Sequence, residues 1–169
     1  MIEIIEAATP VQLDAVRGLF REFVAWHRRS HVEDLHLIER YFDKEAFENE
    51  LAGLPGSYGP PRGKLLLALS DGVPSGCVAL HDLGDGACEM KRMFVPDRFR
   101  GQGVGVALGT AIVEAGRKLG YRVMRLDTSH GQYAAMGLYT RLGFARIEPY
   151  AELPQELRDW LVFFELQYK

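Results

Sequence analysis

Arg100-Gly101-Gln102-Gly103-Val104-Gly105 combines a cation with glycine at every second position. Glycine has no Cβ, so its backbone can approach a ligand closely. The first turn of a helix beginning there would leave amide N–H groups unpaired at the positive end of its dipole. That combination suits a phosphate, with Arg98 or Arg100 adding charge. Two well-known phosphate loops do not fit. A nucleotide P-loop would need Gly-Lys-Ser/Thr after the glycines, and a dinucleotide fingerprint would need glycine or alanine at Val106 or Leu108.

The elements around this loop are legible from periodicity. Residues 90–95 read as a strand ending at Pro96. Val104, Leu108, Ala111, Ile112, Ala115 and Leu119 mark one face of a helix that Gly120 stops. Residues 122–127 alternate like a strand, so strand, helix and strand form one crossover whose two strands are parallel. The next helix is expected to start within 128–132 and end at Gly143. Strands at 144–147 and 160–168 follow, with 151–159 crossing between them.

Upstream, residues 2–6 suggest a short strand. Thr9-Pro10-Val11-Gln12 is a capping-box pattern, and Leu13, Val16, Leu19, Phe20, Phe23, Val24 and His27 recur at helical spacing, predicting a helix over 10–29. Its end carries His27, Arg28, Arg29 and His31, read as solvated cations at the negative end of the dipole. His27, His31 and His36 with Glu33 and Asp34 lack the His-Glu-x-x-His spacing and have no cysteine nearby, so no metal is expected. Asp43 caps a second helix, with Phe47 and Leu51 inward and Gly53 closing it. A glycine- and proline-rich loop, 53–63, surrounds Tyr58.

Residues 64–70, the turn Asp71-Gly72 and residues 76–82 form a hairpin, and Gly84-Asp85-Gly86 leads into the strand before the glycine loop. Three antiparallel strands thus precede that loop. This register sets Cys77 near Met93 and Cys88 near Asp82, too far apart to bridge, so both read as buried reduced thiols.

Arg-x-x-Gly-x-Gly between a strand and a helix resembles the pyrophosphate signature of the GNAT family of N-acetyltransferases. A second match, Ala135-Met136-Gly137-Leu138-Tyr139-Thr140-Arg141-Leu142-Gly143-Phe144, is similar to that family's segment ending in Leu-Tyr-x-x-Leu-Gly-Phe. The resemblance implies one α/β (α+β) domain over residues 1–169, with a GNAT-like mixed, mostly antiparallel sheet. Its central parallel strand pair would be splayed apart, and helices would flank both faces. It also implies an acetyl-CoA-dependent N-acetyltransferase with coenzyme A as co-substrate and no metal. Pyrophosphate would bind at Arg100, Gly101, Gln102, Gly103, Val104, Gly105 and Val106, and the thioester arm along the main chain of Met93, Phe94 and Val95. Gln132 stands where many members carry an asparagine that contacts pantetheine.

Acetyl transfer to an amine requires a base, oxyanion stabilisation and an acid for the departing thiolate. Glu89 and Asp127 occupy the family's two alternative base positions. Glu89 is favoured because alternation puts it on one face with Lys91, Met93 and Val95; for Asp127 the competing reading is the N-cap of the following helix. Tyr139 is the candidate acid. No cysteine sits where an acetyl-enzyme would need it, so the expected reaction is direct attack in a ternary complex. The expected acceptor is a small molecule with a primary amine, and Lys91, Arg92 and Arg125 suggest one bearing a carboxylate. The alternatives are a peptide or protein amine, or a non-catalytic coenzyme A-binding module. The acyl donor could also be a different acyl-CoA. The loop at 53–63 lines the acceptor side in the resembling family.

The length of 169 residues fits one core, and a formal charge of −3 argues against wholesale nucleic-acid binding. No apolar run reaches membrane-spanning length and the N-terminus is acidic, which leads to an expected cytoplasmic location and no membrane partner. Homodimerisation is common in the resembling family, but the sequence carries no direct sign of it.

Overall fold

The computed structural model describes residues 1–169. Its seven strands are β1 (Ile2–Glu6), β2 (Lys64–Ser70), β3 (Val73–Gly84), β4 (Ala87–Phe94), β5 (Val123–Ser129), β6 (Ala145–Ile147) and β7 (Leu161–Gln167). They form one sheet in the order β1-β2-β3-β4-β5-β7-β6. The helices are α1 (Pro10–Ser30), α2 (Leu35–Tyr41), α3 (Lys44–Ala52), α4 (Val104–Lys118), α5 (Tyr133–Arg141) and α6 (Gln155–Trp160). Only β4 and β5 pair in parallel, so the sheet is mixed and mostly antiparallel as expected. No helix is long and apolar enough to cross a membrane.

Local chemistry accounts for the boundaries. At the start of α1 the Thr9 hydroxyl accepts from the Gln12 amide at 3.3 Å, while the Gln12 side chain accepts from the Thr9 amide at 3.0 Å. This is the reciprocal pairing that the sequence pattern predicts. The hairpin turn at Asp71-Gly72 has positive φ at both residues, as a two-residue turn between twisted strands requires.

Apolar side chains fill a layer on each face. One holds Phe20, Phe23, Ile38, Phe47, Leu65, Leu67 and Trp160 beneath α1, α2, α3 and α6. The other holds Val78, Leu80, Leu108, Ile112, Met124 and Phe164 beneath α4 and α5. Gly76 lets α4 settle on the sheet, since a Cβ there would stand 2.8 Å from Leu108 Cδ1 and 3.0 Å from the Phe94 carbonyl oxygen.

Three sequence expectations are corrected, and two elements appear that the sequence did not announce. Residues 128–132 do not open a helix: Thr128 and Ser129 extend β5, held by pairing with Val162 and Leu161 of β7, and α5 starts at Tyr133. Asp127 therefore lies inside a strand and is not a helix cap. The 31–42 stretch contains a 3₁₀ turn, Val32–Asp34, and helix α2, neither of which was anticipated. Finally, His27 is not a solvated cation. It is 2% exposed, and burial together with the charges of His31, Arg92 and Arg100 pushes its pKa down to about 4, leaving it neutral at pH 7.

Cys77 pairs with Phe94 and Cys88 with Asp82, close to the expected register, and both thiols are free and buried. The 53–63 loop carries a 3₁₀ turn, Gly56–Tyr58, and buries Tyr58 against Phe20 and His81.

Candidate active site

Strands β4 and β5 pair at Ala87↔Val123, Cys88↔Met124 and Glu89↔Arg125, and no further. Beyond that point β5 continues alongside β7 as far as Ser129↔Leu161, so β4 loses its neighbour while the rest of the sheet carries on. The main chain of β4 past Glu89 is left with a free edge, and buried amides on such an edge need a partner.

A second irregularity lies in the same strand. Against β3, Cys77 meets Phe94 and Ala79 meets Lys91, so β4 carries one surplus residue. Arg92 sits there with φ +59 in the left-handed region, as in a bulge that re-aims a strand. The bulge breaks the alternation assumed from sequence. Glu89 and Lys91 share a face, but Met93 and Val95 pack in the α4 layer, opposite the one expected for them. Arg92 itself lies under α3, its Nε and Nη2 each 2.9 Å from a carboxylate oxygen of Glu50 and its guanidinium 5.0 Å from the centre of the Phe42 ring. Removing one member of a largely buried pair leaves the other charge uncompensated. Arg92→Met is therefore expected to lower the unfolding free energy by about 3 kcal/mol, measured as a reduced urea midpoint at unchanged m-value.

Two spaces meet at the opening. A groove of about 520 Å³ is lined by Met93, Phe94, Val95, Arg100, Gly101 and Gly103–Val106 on one side, with Gln132 and Tyr133 on the other. At its mouth α4 begins after Gly103, which has φ +90, and no side chain caps the helix. The amides of Val104, Gly105 and Val106 thus have no intrahelical acceptor. Of the predicted coenzyme residues, Gln102 alone does not line this groove; its side chain donates to the Arg98 carbonyl. Arg98 pairs with Glu22 outside the groove, whereas Arg100 stacks 4.5 Å from the Trp26 ring centre and donates to the Val95 carbonyl at 2.9 Å.

The second space, about 50 Å³, lies between the diverging strands and shares Met93 and Gln132 with the groove. Lys91, Asp127, Tyr139 and Tyr41 line it. Tyr139 is 6% exposed on α5, and its phenol is held above its ordinary pKa by burial and by the charge of Asp127.

The two carboxylates differ sharply. Burial raises the Asp127 carboxyl above the usual range, outweighing the charge of Lys91, and only one of its oxygens is engaged by a side chain, accepting from Tyr41 Oη at 2.6 Å. Glu89, 8% exposed, has both oxygens occupied. Oε1 lies 2.8 Å from His81 Nε2, and Oε2 accepts from Tyr150 Oη at 2.6 Å. Burial alone would raise Glu89, but the His81 hydrogen bond, the Lys91 charge and the Tyr150 hydrogen bond together hold it below the usual range.

Tyr41, His81 and Tyr150 did not emerge from the sequence as site residues. A signal existed for His81, because the hairpin register that sets Cys88 opposite Asp82 sets Glu89 opposite His81. Tyr41 follows Leu37 and Ile38 at helical spacing, which could have revealed α2. Among the discounted metal candidates, His31, Glu33 and Asp34 bring ligand atoms within 4.8 Å of one another, and Asp34 accepts from Trp160 Nε1 at 3.1 Å.

Comparison with known proteins agrees with this geometry. The acetyltransferase (GNAT) family pattern matches residues 20–144. An uncharacterized N-acetyltransferase of Schizosaccharomyces pombe is 43% identical over 109 residues, covering 63% of this chain and 67% of its own length. N-acetylaspartate synthetase of Danio rerio is 33% identical over 130 residues, 73% of this chain but 46% of its own, so this chain spans less than half of that relative. The paia N-acetyltransferase of Thermoplasma acidophilum, solved in complex with coenzyme A, shares the fold with a TM-score of 0.72 at 18% identity, over 99% of each chain. A loop that offers three open amides, a sheet parted beside it and the two sequence motifs that flank it are therefore those of a member of the acetyltransferase (GNAT) family, and the chain is an acetyl-CoA-dependent acetyltransferase.

Proposed function

We propose that the chain moves the acetyl group of acetyl-CoA onto a primary amine of a small molecule by direct attack in a ternary complex. The observation that carries this reading is the cavity between β4 and β5, where Asp127, Lys91 and Tyr139 meet beside the coenzyme groove. Its volume of about 50 Å³ admits the amine end of an acceptor. The name of the zebrafish relative, an N-acetylaspartate synthetase, is a precedent for a small amine acceptor.

In this reaction the pyrophosphate lies on the amides of Val104, Gly105 and Val106 with Arg100 beside it. The thioester runs along Met93–Val95, where main-chain N–H groups stabilise the oxyanion. Asp127 takes the proton of the incoming ammonium: it faces the cavity, and its raised pKa makes it the stronger base. Glu89, kept ionised by His81 and Tyr150, supplies negative charge that draws the ammonium in. The nitrogen then bonds to the carbonyl carbon, the C–S bond breaks, and the Tyr139 phenol protonates the leaving sulfur. The second amine proton returns to the phenolate, and the Asp127 proton leaves to solvent.

The test is thiol release from acetyl-CoA over a panel of small amines and peptides. Turnover of small amines is the expected result. Turnover confined to peptides would overturn the acceptor class, and coenzyme A binding without turnover of any amine would overturn the enzyme reading in favour of a binding module.

A further inference from the structure

We infer that the acceptor carries a carboxylate next to its amine, as an α-amino acid does, and that Lys91 binds that carboxylate while Asp127 faces the amine. This rests on the acceptor site proposed above.

Three basic residues flank the opening, and the structure occupies two of them. Arg92 is held by both oxygens of Glu50, and Arg125 donates to Glu165 at 2.8 Å. Lys91 is different. Its nearest carboxylate oxygen, on Glu89, is 3.9 Å away, beyond hydrogen-bonding distance, and its ammonium rests 5.4 Å from the centre of the Tyr41 ring. His27, in the same wall, is neutral at pH 7.

Register gives Lys91 its orientation. The last parallel pair is Glu89↔Arg125, and both Lys91 and Asp127 stand two residues further on, so each keeps the same face as that pair. Had the ladder continued, they would have been direct neighbours. Because it opens instead, a cation and a carboxylate confront each other across the gap, both lining the cavity. A ligand with ammonium and carboxylate on adjacent atoms satisfies the two at once. A simple diamine would set a second cation against Lys91.

The experiment compares each of a panel of α-amino acids with its decarboxylated amine, measuring kcat/KM by thiol release. The wild type is expected to prefer at least one amino acid over its amine by about tenfold or more, the discrimination of one charge-assisted pair. Lys91→Met is expected to bring that ratio near one, and Lys91→Arg to retain it, with coenzyme A binding confirming that both variants are folded. Equal or better use of the decarboxylated amines by the wild type would overturn the inference, as would a preference that survives in Lys91→Met. Failure of every amine despite coenzyme A binding would instead strike the proposed function itself.

Discussion

Tyr139→Phe is expected to lower kcat about 100-fold while coenzyme A affinity stays within about twofold. The phenol is buried against Phe144 and Phe164, and burial together with Asp127 keeps it protonated at neutral pH. A raised pKa would make it a poor acid toward a thiolate in water. In this sheet, however, burial raises thiols as well: the Cys88 thiol is pushed up to about 12. Donor and leaving group move together when both are buried, so their match survives desolvation. Single-turnover acetyl transfer and coenzyme A titration separate the two effects. An equal loss in both would make the ring a packing element only.

The second large effect concerns the carboxylates. Asp127→Asn is expected to reduce kcat about 100-fold or more, and Glu89→Gln to act mainly by raising KM, because the two groups are assigned to proton removal and to attraction. The pH dependence separates them independently. A base works when deprotonated, so kcat/KM falls as pH drops through its pKa in the free enzyme. With Asp127 as base, the acid limb lies above the ordinary carboxylate value of about 4, because burial raises that carboxyl. With Glu89 as base, it would lie below, because His81, Lys91 and Tyr150 outweigh burial there. An acid limb below the ordinary range that persists in Asp127→Asn would reverse the assignment.

The parts of the fold that were legible in the sequence are those whose local and global preferences agree. The capping box of α1, the Asp71-Gly72 turn and the apolar stripe of α4 each state one conformation, and the structure adopts it. The misreadings share a cause, since distant partners decide those positions. Thr128 and Ser129 look like cap residues but are drawn into β5 by β7. Helix α2 is short and crowded with Glu39, Arg40 and His36, so its inward Leu37 and Ile38 are easily overlooked. The same holds at the site. The glycine loop and Tyr139 are marked by motif, whereas Tyr41 and Tyr150 reach their carboxylates from 86 and 61 residues away along the chain. The bulge at Arg92 has no sequence signature, because an arginine with positive φ is stabilised by Glu50 and two phenylalanine rings that only the folded chain assembles.

That surplus residue in β4 constrains how the gene can drift. Deleting Arg92 would restore regular pleating with Met93 and Val95 still facing the α4 layer, so the loss would fall on the Glu50 carboxylate, left without its partner, and not on the stretch along which the thioester is laid. Related chains that keep the chemistry are therefore expected to carry or lose Arg92 and Glu50 together.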